Sequence, residues 1–398
     1  MARSADAPRI GIIGAGVVGL ALARRLAAEA EIVVVDKENQ VAAHQSGHNS
    51  GVVHSGVYYA PGSLKARLCR RGAVLLRDYC RDRNLPHREL GKVIVARDDR
   101  EVVRLRELQR RSEANQVPGI RWLSAGELTE LEPAVRGRAG LHSPSAAIVD
   151  FRRVARAYAA DVEAAGGRLL LGQAVTSIRR QGDRVELIAG EQRMILDRLI
   201  ICAGLHSDRL ARMAGDERGP MIIAFRGEYY RLVAERSGLV NGLVYPVPDP
   251  AYPFLGVHFT PGVDGTVHIG PNAVMALARE GYRRRDVDLA DLVRELSWPG
   301  TWRLARRHWR AGARELYGSM IKRAYLNEAR SYLPALCSQD VVRAPAGVRA
   351  QALDADGQLV DDFRISTIGP ITAVRNAPSP AATSSLAIAE HIADLLHR

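Results

Sequence analysis

Cysteine and lysine are scarce in this chain, and no long apolar run interrupts it. The four cysteines, Cys69, Cys80, Cys202 and Cys337, include no C-x-x-C pair. That spacing argues against a dithiol redox motif or a cysteine-based zinc centre, and predicts reduced, mostly buried thiols in a cytosolic protein. No apolar stretch approaches the ~20 residues of a membrane-spanning helix. The opening Met1–Pro8 lacks the apolar core of a secretory signal. The expected location is cytoplasmic, with a peripheral contact on the inner membrane face left open. Lysine occurs only at positions 37, 65, 92 and 322, so the formal net charge of +12 is carried almost wholly by arginine. Such a field can steer an anionic ligand, attract an acidic membrane face, or be spread over a solvated surface. No nucleic-acid-binding signature accompanies it, and no nucleic acid partner is expected.

A length of 398 residues with 47% hydrophobic content predicts two domains with sizeable cores. The most informative stretch is Ile10–Leu20, where a short apolar run ends in Gly14, Gly16 and Gly19 at G-x-G-x-x-G spacing and a helical pattern follows over 17–28. The first glycine permits the tight turn, the second allows a pyrophosphate to approach the backbone, and the third lets helix pack on strand. Ala15, Val17 and Val18 lie on the same turn, and the positive helix end receives the phosphates. Ile32–Asp36 reads as the next strand, with Asp36 placed to bond ribose hydroxyls. The complete strand, glycine loop, helix, strand and acid predict dinucleotide binding. The spacing does not recur, so a second dinucleotide site of the kind a two-nucleotide reductase carries is not expected.

The segment His44–Tyr59 is rich in Gly, Ser, His and Asn and has no helical or alternating period. Such a loop supplies backbone amides for close approach to a ligand. His44, His48 and His54 are spaced by four and six with no carboxylate or cysteine among them, so no metal site is expected. Helices are expected over 64–81, 98–115, 124–132 and 151–165, the last closing at Gly166-Gly167. Strands are expected over 91–96, 169–176 and 199–204. A basic helix follows over 302–314, interleaving Trp302 and Trp309 with arginines. The expected arrangement turns the tryptophans inward and leaves the arginines wet; a membrane-surface helix is the alternative. The final helix, 386–396, is preceded by Ser379–Ser384 with residues suited to capping.

The run His44–Tyr59 with Pro61–Ala66 resembles the L-2-hydroxyglutarate oxidase/dehydrogenase family, within the glycine oxidase/D-amino-acid oxidase superfamily. The likeness continues through Phe225–Tyr230, Tyr245–Asp249, Pro253–Phe259, Gly270–Ala273, Glu280–Arg283, Pro345–Gln351 and Arg375–Ser384. It implies an α/β fold: a Rossmann-like FAD-binding domain (8–84, 144–217 and 341–398) with an interleaved α+β substrate domain (85–143 and 218–340) containing a mixed antiparallel sheet. FAD is the implied cofactor. To Gly14, Ala15, Gly16, Val17, Val18, Gly19 and Asp36 the resemblance adds Lys37, His44, Ser46, His48, Asn49, Ser50, Gly51, Val52, Val175, Ala203, Gly204, Pro378, Ser379 and Ala381 as cofactor contacts. The implied reaction is oxidation of L-2-hydroxyglutarate, or a close 2-hydroxy dicarboxylate, by hydride transfer to flavin N5. Oxygen, a quinone or an electron-transfer protein would take the electrons onward. A flavin amine or amino-acid oxidase, or a non-catalytic basic binding protein, would share the fold.

Removal of the hydroxyl proton calls for a base near operating pH, which favours histidine. His54 matches the family segment beside the flavin ring, where it would act as the base, merely position FAD, or carry a covalent flavin link. His258 is the second candidate, or else a satisfied core residue. Arg349 matches the superfamily position that binds the substrate's α-carboxylate, in keeping with the bidentate fork of arginine. Arg226 either faces the pocket as a second cation or forms an ion pair at the domain interface. Asn376 and Asn272 are candidates for polar contacts.

Overall fold

The computed structural model describes residues 7–250 and 255–397. Pro253 and Phe254 of one family segment, and most of the amino-terminal stretch, lie outside these. The first sheet runs in the order Arg364–Ile368, Ile371–Asn376, Arg198–Ile201, Arg9–Ile13, Glu31–Val35, Arg168–Leu170. All neighbours pair parallel except the antiparallel edge Arg364–Ile368. The chain therefore moves outward one way from Arg9–Ile13 and then resumes on that strand's other side. Ligands bind at such a reversal, beyond the carboxyl ends of the strands, and here those ends carry Gly14 and Cys202–Gly204.

Alternation along each strand explains how both faces are covered. Ile32 and Val34 pack with the helices Val17–Leu26, Phe151–Ala164 and Ser385–Leu396. Val33 and Val35 pack with the meander Val175–Gln181, Arg184–Ala189 and Gln192–Leu196. The expected single strand over 169–176 is broken at Leu171-Gly172, where Gly172 has φ +70°. Its second half opens the meander instead.

The second sheet has nine strands, mixed in direction, centred on Met221–Leu232, Leu243–Pro246, His258–Pro261 and Lys92–Ala96. One expectation is corrected here. Val341–Leu353, grouped from sequence with the first domain, pairs antiparallel along Met221–Leu232 in the second sheet. The chain returns to the first sheet only at Arg364. This pairing sets Arg349 opposite Phe225 and Val348 opposite Arg226.

A second correction concerns the basic helix, which spans Pro299–Met320 with a kink at His308. Trp302 and Trp309 are 61% and 62% exposed, so they do not turn inward. A helical period gives the width of an apolar stripe but not whether another element covers it. A third concerns the last helix, Ser385–Leu396: Ser384 caps it by position, yet its side chain makes no cap hydrogen bond.

Candidate active site

A cavity of about 640 Å³ is lined by residues from both sheets. Its dinucleotide end is built by the glycine turn. Gly14 has φ +111°, and a Cβ there would lie 2.3 Å from the Cys202 carbonyl. A Cβ on Gly19 would lie 2.0 Å from the Gly14 carbonyl, so only glycine lets the helix sit this close to the turn. The Asp36 carboxylate accepts from Ala15 N at 2.6 Å and from Glu38 N at 2.9 Å. It braces the turn while facing the cavity, with lone pairs left over for a diol. The Ser46 hydroxyl accepts from Val17 N at 2.9 Å. Asn49 shapes the loop by donating to the Gln45 and Ser46 carbonyls and accepting from Gly51 N.

Lys37, His44 and a strap from the second domain close this end. Lys37 Nζ lies 2.8 Å from Glu280 and also contacts Glu38. His206 Nε2 lies 2.9 Å from Glu280, and His44 lies 3.0 Å from Glu38 and 3.2 Å from the Tyr282 hydroxyl. The His48 ring packs on Tyr282 at 4.6 Å. Glu280 is half-buried, which alone would raise its carboxyl, but the bonds from His206 and Lys37 pull it down to about 2. Glu38, His44 and Glu280 lie within metal-binding distance of one another. The Lys37 ammonium already touches both carboxylates and supplies the positive charge.

The other end gathers His54, Lys65, Tyr229, Tyr245, His258, Arg349, Asn376 and Ser379. His54 is held by its own backbone: its N–H donates to Thr383 Oγ1 at 3.1 Å, and its carbonyl accepts from Cys69 Sγ at 3.3 Å. Nε2 lies 3.4 Å from Ser379 Oγ, and Nδ1 is buried without a partner. Burial drives its pKa well below 6.5, and the positive fields of Lys92, Lys65 and Arg349 push it further. The ring is therefore neutral and able to accept a proton. His258 stacks on Tyr245 with ring centres 4.0 Å apart, and its Nδ1 lies 3.0 Å from the Gly256 carbonyl. A carbonyl only accepts, so Nδ1 carries the hydrogen. Burial holds the ring neutral, down at about 3. Arg349 donates to the Tyr229 hydroxyl.

Of the residues expected from sequence, Ala15, Gly19 and Gly51 shape the loop from behind the cavity wall, and Val18, Ser50, Val52, Val175, Ala203, Gly204, Pro378 and Ala381 line it. Arg226 does not, which corrects its reading as a pocket cation. It opposes Val348 rather than Arg349, and its side chain does not reach the cavity wall. It is buried off the cavity wall, 3.4 Å from Glu228, in keeping with the ion-pair alternative. Asn376 lines the cavity, but its amide is committed to the Val360 and Asp362 carbonyls at 2.8 and 2.9 Å. Asn272 accepts from Glu228 N and lies off the cavity wall.

The residues fit FAD on structural grounds: a glycine turn that a Cβ would block, and unpartnered buried atoms at His54 Nδ1 and Asn376 Oδ1 on cavity-lining residues. The comparison with family models agrees, matching residues 9–395 to the FAD dependent oxidoreductases called DAO. The chain belongs to this FAD-dependent oxidoreductase family. Two similar DAO-type relatives carry the name L-2-hydroxyglutarate dehydrogenase. One, mitochondrial, from Nematostella vectensis is 44% identical, covering 97% of this chain and 89% of its own length. The other, from Salmonella houtenae, is also 44% identical, covering 96% and 91%. Among solved structures, FAD-bound L-α-glycerophosphate oxidase from Mycoplasma pneumoniae superposes with a TM-score of 0.80 at 23% identity, covering 98% of this chain and 95% of that one. The fold is thus shared by oxidases of other small substrates.

The family site holds residues that sequence reasoning passed over. Lys65, Tyr229 and Tyr245 line the cavity, and Lys92 lies just behind it. Their one signal was rarity: three of the chain's four lysines (37, 65 and 92) lie on or beside this cavity. Lys92 is 1% exposed, with Nζ 4.2 Å from the Tyr245 ring centre and 5.2 Å from that of Tyr58. Burial lowers its ammonium from 10.5 to about 7, with no carboxylate offsetting it. The unfolded chain thus binds this proton more tightly than the folded one. The lysine lowers stability most at or below pH 7, and the penalty fades as pH climbs towards 10.5. Lys92→Met is therefore expected to raise the melting temperature by roughly 2–5 °C at pH 6.5. Scanning calorimetry at pH 6.5 and 9.5 checks this; a gain that grows at the higher pH contradicts it.

Proposed function

We propose that this FAD-dependent enzyme oxidises L-2-hydroxyglutarate to 2-oxoglutarate. The observation that carries the reading is the convergence of a neutral His54 and a cavity-lining Arg349 in a chain similar over nearly its whole length to named L-2-hydroxyglutarate dehydrogenases. The net change at the substrate is loss of two electrons and two protons from the CH–OH group, the Cα hydrogen leaving with the electron pair and the hydroxyl hydrogen as a proton. FAD, when bound, supplies the two-electron acceptor. Arg349 pairs with the α-carboxylate and so fixes which face of the Cα is presented. His54, unprotonated in the neutral range, takes the hydroxyl proton; the negative charge of the bound substrate offsets the positive fields of Lys65 and Arg349 and so raises the basicity of the ring for that step. Tyr229 orients Arg349, and Tyr245 with His258 forms the apolar wall that excludes water from the reacting carbon. Incubation with L-2-hydroxyglutarate and an artificial dye acceptor is expected to yield 2-oxoglutarate equimolar with reduced dye. Release of ammonia from an amino acid at a higher kcat/KM would replace this reading with the amino-acid oxidase alternative.

The helical face around the tryptophans supports a peripheral contact with an anionic membrane. Among the described residues, ten of the sixteen exposed large hydrophobics fall between Val287 and Ile321, including Leu289 at 74% and Val293 at 67%. Arg303, Arg306, Arg307, Arg310 and Arg314 are exposed on the same helix. Apolar side chains flanked by arginines match the boundary between acyl chains and acidic headgroups. No helix among the described residues is long and apolar enough to cross a membrane. Co-sedimentation with phosphatidylglycerol vesicles is expected to be strong at low salt, and to weaken about tenfold or more in a Trp302→Ser, Trp309→Ser double variant. Equal binding by parent and variant would remove this contact from the account.

A further inference from the structure

The proposed substrate has two carboxylates, and Arg349 accounts for one. The lining residues with permanent positive charge are Lys37, Lys65, Arg209 and Arg349. Lys37 is committed to Glu38 and Glu280 at the dinucleotide end, and Arg209 to Asp291. Arg226 does not line the cavity and lies beside Glu228. Lys65 remains, in the group that contains His54 and Arg349; its field and that of Arg349 both act on the His54 ring.

The surroundings of Lys65 form a braced site. It sits in the first turn of the helix Leu64–Asp82, whose Leu64 and Lys65 N–H groups donate to the Asp362 carboxylate at 3.1 and 2.8 Å. Asn376 holds the carbonyls on either side of Asp361. The lysine is 8% exposed, its ammonium 5.2 Å from the Tyr59 ring centre. It donates to the Asp361 carbonyl and to Asp361 Oδ1, each at 2.8 Å. The two ends of that ion pair differ in setting. The Lys65 side chain is 9% exposed and that of Asp361 is 93% exposed. A buried ammonium on a cavity wall is thus met by a carboxylate that water can take over with little loss.

We propose that Lys65 recognises the second carboxylate of the substrate, exchanging the Asp361 carboxylate for it, and so makes the site selective for diacids. This rests on the proposed 2-hydroxy diacid reading. The backbone contact to the Asp361 carbonyl keeps the ammonium in place during the exchange, and Asp361 acts as a competing ligand. A monocarboxylate would leave the resting pair undisturbed and gain nothing from it.

The test uses the FAD-loaded protein and two non-oxidisable ligands, glutarate and butyrate, titrated by calorimetry, alongside kcat/KM for L-2-hydroxyglutarate and L-2-hydroxybutyrate. In Lys65→Met, glutarate affinity is expected to fall about 10–100-fold, while butyrate affinity changes by less than about threefold. The kcat/KM ratio of diacid to monoacid should collapse in parallel. Asp361→Asn removes the competitor and is expected to tighten glutarate binding a few-fold without affecting butyrate. Equal losses for both ligands in Lys65→Met, retention of the parent's diacid preference, or weakened glutarate binding in Asp361→Asn would each overturn the proposal. The parent protein separates the two levels. Failure of the parent to prefer diacids defeats the substrate reading itself, whereas a parent that prefers them and a Lys65→Met that still does defeats only the role of Lys65.

Discussion

Replacing His54 with alanine lowers the rate of flavin reduction by L-2-hydroxyglutarate by about 10²–10⁴-fold, the range set by loss of a positioned base. Glutarate binding should change little, because the imidazole is not among the groups assigned to the carboxylates. The physical ground is the state of the ring. Its Nδ1 is buried without a partner, and desolvation and the positive charges of Lys92, Lys65 and Arg349 oppose its protonation. The same state fixes the pH dependence. A histidine at its ordinary pKa would lose the reaction as pH falls through 6.5. This one has a folded pKa well below that value, so the parent's reduction rate should stay level from pH 7.5 down past 6.5. Stopped-flow reduction across that range, for parent and variant both still yellow, checks the two statements together. A variant that reduces near the parent rate removes His54 as the base. A parent profile that breaks at 6.5 contradicts the neutral, field-suppressed ring.

Replacing Arg349 with methionine costs the enzyme its hold on the α-carboxylate. Two charge-assisted hydrogen bonds at about 1.5–3 kcal/mol each correspond to a loss of about 10²–10⁴-fold in kcat/KM. Arg349→Lys should recover only part of this, because an ammonium keeps the charge but not the planar fork. The position makes the prediction specific. Arg349 faces the cavity because Val341–Leu353 pairs with Met221–Leu232 in the register that puts it opposite Phe225. Arg226, one residue along on the neighbouring strand, does not line the cavity. Arg226→Met should therefore change glutarate affinity far less than Arg349→Met, and its main effect should be on thermal stability, by leaving the largely buried carboxylate of Glu228 short of a partner. Steady-state kinetics and calorimetry on the three variants decide the matter. Equal losses at Arg226 and Arg349 would contradict the assignment.

The contrast between those arginines shows where sequence was informative. The glycine turn was legible because it is a backbone requirement written locally: Gly14 needs a positive φ, and Gly19 needs the absence of a Cβ. Both demands appear as residue type within a few positions. Which face an arginine takes depends on pairing with a strand more than a hundred residues away, and on the register shift between Gly227 and Tyr229. Neither leaves a local mark. The same holds for Val341–Leu353, whose long-range pairing moved it from the first domain's sheet to the second. Trp302 and Trp309 failed for a related reason: periodicity says how wide an apolar stripe is, not whether anything packs on it. Lys65 reads locally as one more residue of an amphipathic helix. Only the fold reveals that its first turn meets the Asp361–Asp362 segment at the cavity wall.

One cavity that joins FAD to a 2-hydroxy diacid has a direct signature in anaerobic mixing of the yellow protein with L-2-hydroxyglutarate, its D-enantiomer, L-2-hydroxybutyrate, L-glutamate and glycine, following absorbance in the flavin band. Rapid bleaching is expected with L-2-hydroxyglutarate, slower bleaching with L-2-hydroxybutyrate, and none with the D-enantiomer or the amino acids. Bleaching by an amino acid, with L-2-hydroxyglutarate inert, would contradict a joint site for FAD and a 2-hydroxy diacid.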